Sequence, residues 1–350
     1  MEEAFASIAD PGRLPERTEA FATAGAAAQQ LGDAPGRLAV ARRSQLGGEE
    51  PNVKLTHPHR VLYPGAGFTK RDLADFYAAV ADVLLPAVAG RPVSLLRCPS
   101  GIGGDCFYQK HLGEHPPAGL GSVEIEERSG ACELYALVET PAALAALAQF
   151  AALEIHSWGS RVEHLERPDR LIFDLDPGPG VGWPRVVEAA RELRDLLAEL
   201  GLDSFPRLTG GKGVHLLVPI EPEPPWERAR QLARAVAERL AAAAAERYTV
   251  KASKDERPGK IFIDYLRNAF GTTAIASYSP RARPGAPVAV PIRWDELSPR
   301  RPAAHYDLRT VRRRLASLAG DPWEDDGWRA QRLSDELFER LGAAGAPNLG

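Results

Sequence analysis

Apolar positions along this chain fall into two kinds of pattern. Short, nearly unbroken runs at Pro92–Arg97, Cys132–Val138, Leu171–Asp176, Val214–Pro219 and Lys260–Tyr265 read as buried strands. Longer helical patterns lie among them. One opens at Thr69, where Asp72 three residues on makes a capping-box-like start, and runs to about Val83. Pro141 stands in the first turn of an Ala/Leu-rich helix reaching about Leu153. A third helix opens at Pro184 and ends before Gly201, and Trp226–Arg247 is a long fourth. Patterns at Leu308–Leu318 and Trp328–Leu341 close the chain, and no internal repeat is visible. Strands and helices recur throughout, which argues against an all-α or all-β fold and for α+β. Residues 1–50 hold twelve alanines and few large apolar side chains. They read as a low-complexity, mobile leader, with the ordered body beginning near Val53.

One strand pattern ends in chemistry. Leu171-Ile172-Phe173 runs into Asp174-Leu175-Asp176-Pro177 and then a Gly/Pro turn. Side chains two apart on a strand share a face, so Asp174 and Asp176 project together while Leu175 turns away. Neighbouring carboxylates resist joint ionisation unless a cation joins them, which points to a divalent metal. A turn whose second Asp caps the next helix accounts for the tetrapeptide equally well. Asp264, in the β-prone run Lys260–Tyr265, is a third carboxylate out of place without a partner. An ion pair with Arg267 would explain it. Lying beside the pair 174/176, it would complete a set able to hold two divalent ions, the clamp of in-line nucleotidyl transfer.

Thr209-Gly210-Gly211-Lys212-Gly213-Val214-His215 is a glycine-rich stretch entering a strand. Its backbone N–H groups could approach phosphate oxygens, with Lys212 adding a cation and His215 reaching the same phosphates. It is not a P-loop, since Gly rather than Ser or Thr follows the lysine and a strand rather than a helix comes next. A tight turn is the plainer reading. His156, after the Ala-rich helix, is either a hydrogen-bonded core histidine or a general acid or phosphate ligand. Arg257, Lys260, Arg267, Arg281 and Arg283 make the surroundings of Asp264 cationic. Nearer the N-terminus stand His57, Arg60 and Lys70, and Phe107 and Tyr108 precede Lys110 and His111, a mix suited to stacking a base beside a phosphate. Cys98, Cys106, His111 and His115 could form a zinc site, but the spacing lacks a close cysteine pair.

Composition narrows the setting. Hydrophobic content of 44% and charged content of 26% are those of a soluble globular protein. No apolar run reaches transmembrane length and no signal-peptide pattern opens the chain, so a cytoplasmic, nucleoid-associated protein without a membrane partner is the default. Three cysteines are too few and scattered for a disulfide framework. A net charge of −4 confines any polyanion site to a local basic patch.

Taken together, the blocks resemble the polymerase domain of bacterial ligase D, of the archaeo-eukaryotic primase superfamily. They are His57–Pro64 with Thr69-Lys70, Phe107–His111, Leu153–His156, Phe173–Pro177, the glycine loop through His215, Gly259–Asn268 and Ala276–Arg283, in family order. The resemblance implies a primase-like domain over residues 51–345, with mixed and antiparallel sheets around a cleft and flanking helices. It implies a nucleotidyltransferase that extends DNA ends by template-directed gap filling in non-homologous end joining, favouring ribonucleotides and manganese over magnesium. Asp174, Asp176 and Asp264 become ligands for two metal ions, and Thr209, Lys212, His215, Arg267 and Arg281 nucleotide-binding residues, with His156 at the reacting centre. Arg60 and Lys70 match a 5′-phosphate pocket, and Phe107 or Tyr108 a template-stacking position. His57, His111, Arg257 and Arg283 are further basic candidates. No Lys-x-Asp-Gly ligase motif is present, which implies a stand-alone or excised polymerase working with Ku and a separate ligase on gapped or overhanging ends. The alternatives are a de novo primase, a metal-dependent phosphatase and a non-catalytic end-bridging module.

Overall fold

Alternation along single strands decides the layering. On Arg170–Pro177 the side chains of Leu171, Phe173 and Leu175 enter the main core, while Ile172, Asp174 and Asp176 take the opposite face. The computed structural model describes residues 41–43, 53–113, 116–318 and 320–342. Its strands are β1 (Ala41–Arg43), β2 (Val61–Tyr63), β3 (Phe68–Thr69), β4 (Val93–Arg97), β5 (Phe107–Gln109), β6 (Gly121–Glu126), β7 (Cys132–Leu137), β8 (Ala152–Trp158) and β9 (Arg170–Pro177). They continue as β10 (Phe205–Leu208), β11 (Val214–Pro219), β12 (Tyr248–Thr249), β13 (Ile261–Asp264), β14 (Thr273–Ile275) and β15 (Val290–Pro291). The helices are α1 (Lys70–Ala79), α2 (Ala81–Val88), α3 (Pro141–Gln149), α4 (Trp183–Glu199), α5 (Trp226–Ala243), α6 (Leu308–Ser317), α7 (Pro322–Asp325) and α8 (Asp335–Arg340).

Two sheets organise the body, as expected of an α+β fold. The first runs β1-β6-β7-β4-β8-β14, with β5 also paired to β4, and is antiparallel. The second runs β12-β13-β9-β11-β10-β15 and is antiparallel except between β12 and β13. Helices α4 and α5 cover one face of this second sheet with their apolar stripes, Val186, Ala190, Leu193 and Leu197 from one and Ala229, Ala233, Val236 and Leu240 from the other. Residues 174, 176 and 264 lie on the other face.

Several boundaries differ from expectation. The first helix is two, broken at Val80, after the capping box at Thr69 and Asp72 starts it as read. The Ala-rich helix stops at Gln149, and Ala151, at φ 51°, turns the chain into β8, so Ala152 and Leu153 are strand. The fourth helix ends at Ala243, four residues short, before the turn into β12. Only Asp335–Arg340 of the final pattern is helical, because Gln331 pairs with the backbone of Pro219 and Glu221 and Trp328 stacks on Trp323. Strand β1 falls inside the segment assigned to the leader and pairs with β6. The remainder of 1–52 lies outside the described residues.

Cys98 and Cys106 are joined in a disulfide, which corrects the zinc reading: a bridged pair offers no thiolate. His111 faces Glu127 at 3.0 Å and Glu133 at 3.4 Å instead, and His115 lies outside the described residues. The bridge extends the β4–β5 register by one step beyond Arg97↔Phe107. Closing so short a loop should stabilise the protein by about 2–3 kcal/mol. Cys106→Ser is therefore expected to lower the unfolding free energy by that amount in non-reducing denaturant titrations. An unchanged midpoint would assign the bridge no such weight.

Candidate active site

Strand register lines up the chemistry in a single row across the second sheet. Arg207 on β10 is opposite His215 on β11, His215 is opposite Asp174 on β9, and Asp174 is opposite Asp264 on β13. Opposite residues share a face, so the row projects together, and Asp176 joins it two positions along β9. His215 Nε2 lies 3.2 Å from Asp174 Oδ2. Arg267 Nε is 3.1 Å from Asp264 Oδ2 and its terminal nitrogen 3.8 Å from Asp174 Oδ2. The ion pair with Arg267 weighed for Asp264 is thus present, on the same face as the other two carboxylates.

Crowding of charge shapes the titration. Burial raises Asp176 to about 7, helped by repulsion from Asp174 and Asp264 and opposed by Arg267 and Arg257. Burial also raises Asp264, with Arg267 opposing and Asp174 adding to the rise. Asp174 goes the other way: burial would raise it, but His215, Arg267 and Arg281 outweigh that and hold it at about 2. Burial pushes His215 down to about 4 against the pull of Asp174. Among the described residues no three His, Cys, Asp or Glu side chains form a ready-made metal cage. The donor chemistry nevertheless suits a divalent ion, since three carboxylates share one face and burial with mutual repulsion raises one of them, a penalty that a cation would relieve.

The glycine loop borders this row. Gly213 has no room for a side chain, because a Cβ there would stand 2.4 Å from Leu175 O and 3.4 Å from Asp176 Oδ1. Thr209 is buried and its hydroxyl ties the loop together, donating to Gly213 O at 2.8 Å and accepting from Gly211 N at 3.2 Å. Lys212 is exposed, with no carboxylate in ion-pair range among the described residues. Arg281 and Arg283 flank Gly211. Arg281 also spans the two sheets, with its guanidinium on Thr209 O and Nε 3.3 Å from Glu154 Oε2. His156, on β8 of the first sheet, bonds Glu154 through Nε2 at 2.9 Å, and burial lowers its pKa, with the charges of Arg281 and Arg267 adding to the fall and Glu154 opposing it. Arg257 stacks on Phe262, the neighbour of Asp176 on β13.

A second cationic spot lies at the start of α1. Lys70 Nζ donates to Thr56 O at 3.0 Å and Gln149 Oε1 at 2.9 Å, leaving one proton uncommitted. Burial and the charge of Arg60 lower its pKa. Arg60 is exposed and donates to Pro99 O at 2.9 Å. Neither cation has a carboxylate partner among the described residues, and His57 is exposed on the preceding turn. The aromatic pair divides. Phe107 is 45% exposed, whereas Tyr108 points inward, bonding Thr273 Oγ1 at 2.8 Å and meeting His156 edge-on. Phe107 alone keeps a face for stacking. His111 stands apart from both spots, in the cluster with Glu127, Lys110 and Tyr135. Sequence reasoning assigned no role to Arg207, Glu154 or Asn268. The last pins the Asp264 loop to β9 by bonding both backbone groups of Ile172 at 2.8 Å. Their one signal was polarity inside otherwise apolar runs.

The family model for the LigD primase-polymerase domain matches residues 69–323. The chain belongs to that family. Membership makes it a nucleotidyltransferase of the primase–polymerase type. The multifunctional non-homologous end joining protein LigD of Pseudomonas aeruginosa is 39% identical over 312 residues, covering 88% of this chain and 37% of that one. Its counterpart in Mycobacterium tuberculosis is 41% identical over 256 residues, 71% of this chain and 34% of the relative. The chain therefore spans well under half the length of these relatives. The solved polymerase domain of Mycobacterium tuberculosis ligase D in complex with DNA superposes with a TM-score of 0.72 at 36% identity, covering 85% of this chain and all of that one.

The raised carboxylate gives a pH test. A folded-state pKa near 7 for Asp176, above its unfolded value, means the folded protein holds a proton the unfolded chain releases. The stability Asp176 contributes without divalent metal should be lost as pH rises from about 4 to about 7, while His215, held near 4, gains over the same range and offsets part of it. In denaturant titrations with chelator, Asp176→Asn should therefore gain stability relative to wild type as pH rises through that window, and a difference that does not change with pH would count against the crowding.

Proposed function

We propose that this protein adds nucleotides to DNA ends at breaks, in template-directed gap filling during non-homologous end joining. The observation that carries this reading is the row Asp174–Asp264 with Asp176 alongside, facing a loop whose Lys212 has no carboxylate partner among the described residues. The DNA in the related polymerase-domain structure supports the substrate class. Gapped or overhanging duplexes, nucleoside triphosphates, and Ku with a separate ligase as partners belong to the same proposal. The site suits manganese or magnesium, bound as two ions.

Asp174, Asp176 and Asp264 would hold the ions. Ions held there would supply the chemistry of lowering the pKa of a primer 3′-hydroxyl and neutralising charge on a leaving pyrophosphate. Lys212, His215 and Arg281 orient the triphosphate, which matters because such transfer depends on placement and electrostatics. Arg267 offsets carboxylate charge, and His156, fixed by Glu154, presents a ring toward the reacting groups. Thr209 shapes the loop through its own hydrogen bonds. Arg60 and the uncommitted proton of Lys70 grip a 5′-phosphate, setting register without reading sequence. Phe107 stacks on the template, with Arg97 5.1 Å beneath its ring. This phosphate grip favours end joining over de novo priming, which needs no downstream end. No described helix is long and apolar enough to cross a membrane.

Primer extension on a gapped duplex tests the reading, with ribo- and deoxynucleotides compared in manganese and in magnesium. Asp174→Ala should abolish addition while DNA binding persists, and retained addition in manganese would refute the assignment. Lys70→Ala should slow extension about tenfold more when the gap carries a 5′-phosphate, the scale of one charge-assisted contact. Equal losses on both substrates would remove the phosphate grip.

A further inference from the structure

Arg207 is a buried cation that the site as described does not use. The residue is 2% exposed, yet no carboxylate lies in ion-pair range among the described residues. Isolation of this kind is costly and calls for a compensating role. Its Nε finds no acceptor among the described residues, and Nη1 reaches Ser277 Oγ only at 3.4 Å. Among the described residues its one close contact is Nη2 to His215 Nδ1, at 2.7 Å.

That contact has a single chemical sense. A guanidinium carries donors and no acceptor, so the nitrogen it faces must present a lone pair. With Nδ1 accepting, the ring proton resides on Nε2, the nitrogen 3.2 Å from Asp174 Oδ2. Turning the ring over would set a carbon against the guanidinium and forfeit both bonds. Register holds the arrangement, because Arg207 and His215 are direct cross-strand neighbours on β10 and β11. We propose that Arg207 is a positioning residue that fixes His215 in its Nε2–H form, so that the substrate-facing end of the ring is always a donor. It donates to Asp174 in the free protein and to a phosphate oxygen of the incoming triphosphate when that carboxylate is engaged elsewhere. The role toward the triphosphate rests on the nucleotidyl-transfer function, whereas the position of the ring proton does not.

Imidazole ¹⁵N–¹H spectra of the full chain, labelled at histidine and free of metal, test the first part directly. The wild type should show His215 as one species with a protonated Nε2 and a bare Nδ1, assigned by loss of the signal in His215→Gln. A proton on Nδ1 overturns the proposal without recourse to any Arg207 variant. Arg207→Met should populate the Nδ1–H form and raise the nucleotide KM about tenfold, the scale of one hydrogen bond to a charged group, with kcat changed less than about twofold. Arg207→Lys should restore both. A Met variant with the wild-type spectrum overturns the positioning role, and one with a changed spectrum but unchanged KM overturns its reach to substrate. Wild-type protein that shows the expected ring form but adds no nucleotide would refute the function above while leaving the protonation pattern supported.

Discussion

Two carboxylates forced side by side on adjacent strands set the terms for the rest of this molecule. Asp174 and Asp264 are exact opposites in the β9–β13 register, and Asp176 stands one step beyond. The strands cannot relieve the repulsion by slipping, because a one-residue shift would carry Leu175 and Ile263 out of the core under α4 and α5. Apolar packing on one face thus holds together charges on the other that would separate if free. Cations and donors answer from every side: Arg267 within the loop after β13, His215 from β11, Arg257 over Phe262 and Arg281 from beyond the sheet.

Arg281 carries this electrostatic arrangement from one sheet to the other. Its contacts with Glu154 on β8 and Thr209 at the end of β10 make the two layers share one guanidinium. Glu154 in turn holds His156 and accepts the backbone N–H of Ala282 at 2.9 Å. The first sheet therefore contributes to the site mainly through what it does to residues of the second. His156 is thereby held on a different sheet from the acid pair, although it lies on the strand that precedes β9 in the chain.

Much of this was legible in the sequence, and the exceptions have physical reasons. Asp174 and Asp176 could be placed on one face by strand period alone, and Asp264 stood out as an acid inside an apolar strand. Tyr108 could not be separated from Phe107, because adjacent strand residues take opposite faces and nothing local says which face is buried. Arg207 escaped notice because Phe205–Leu208 is only four residues long and begins Phe-Pro, a weak strand signal. The helix boundaries that drifted lie where an Ala-rich pattern continues past a turn imposed by tertiary contacts, as at Ala151. The Cys98–Cys106 bridge depends on a hairpin register that spacing does not reveal.

Gly213 gives the glycine loop a history as well as a shape. Every other amino acid there would drive an atom into the Leu175 carbonyl and lift β11 from β9, taking His215 off Asp174 two residues later. At the tip a side chain on Gly211 would meet only side-chain atoms, the nearest Thr209 Oγ1 at 3.3 Å, so the backbone there leaves room for drift. The root is closed to such drift. Descendants of this sequence can retune how the loop meets its substrate, but they inherit its anchorage unaltered or lose the site altogether.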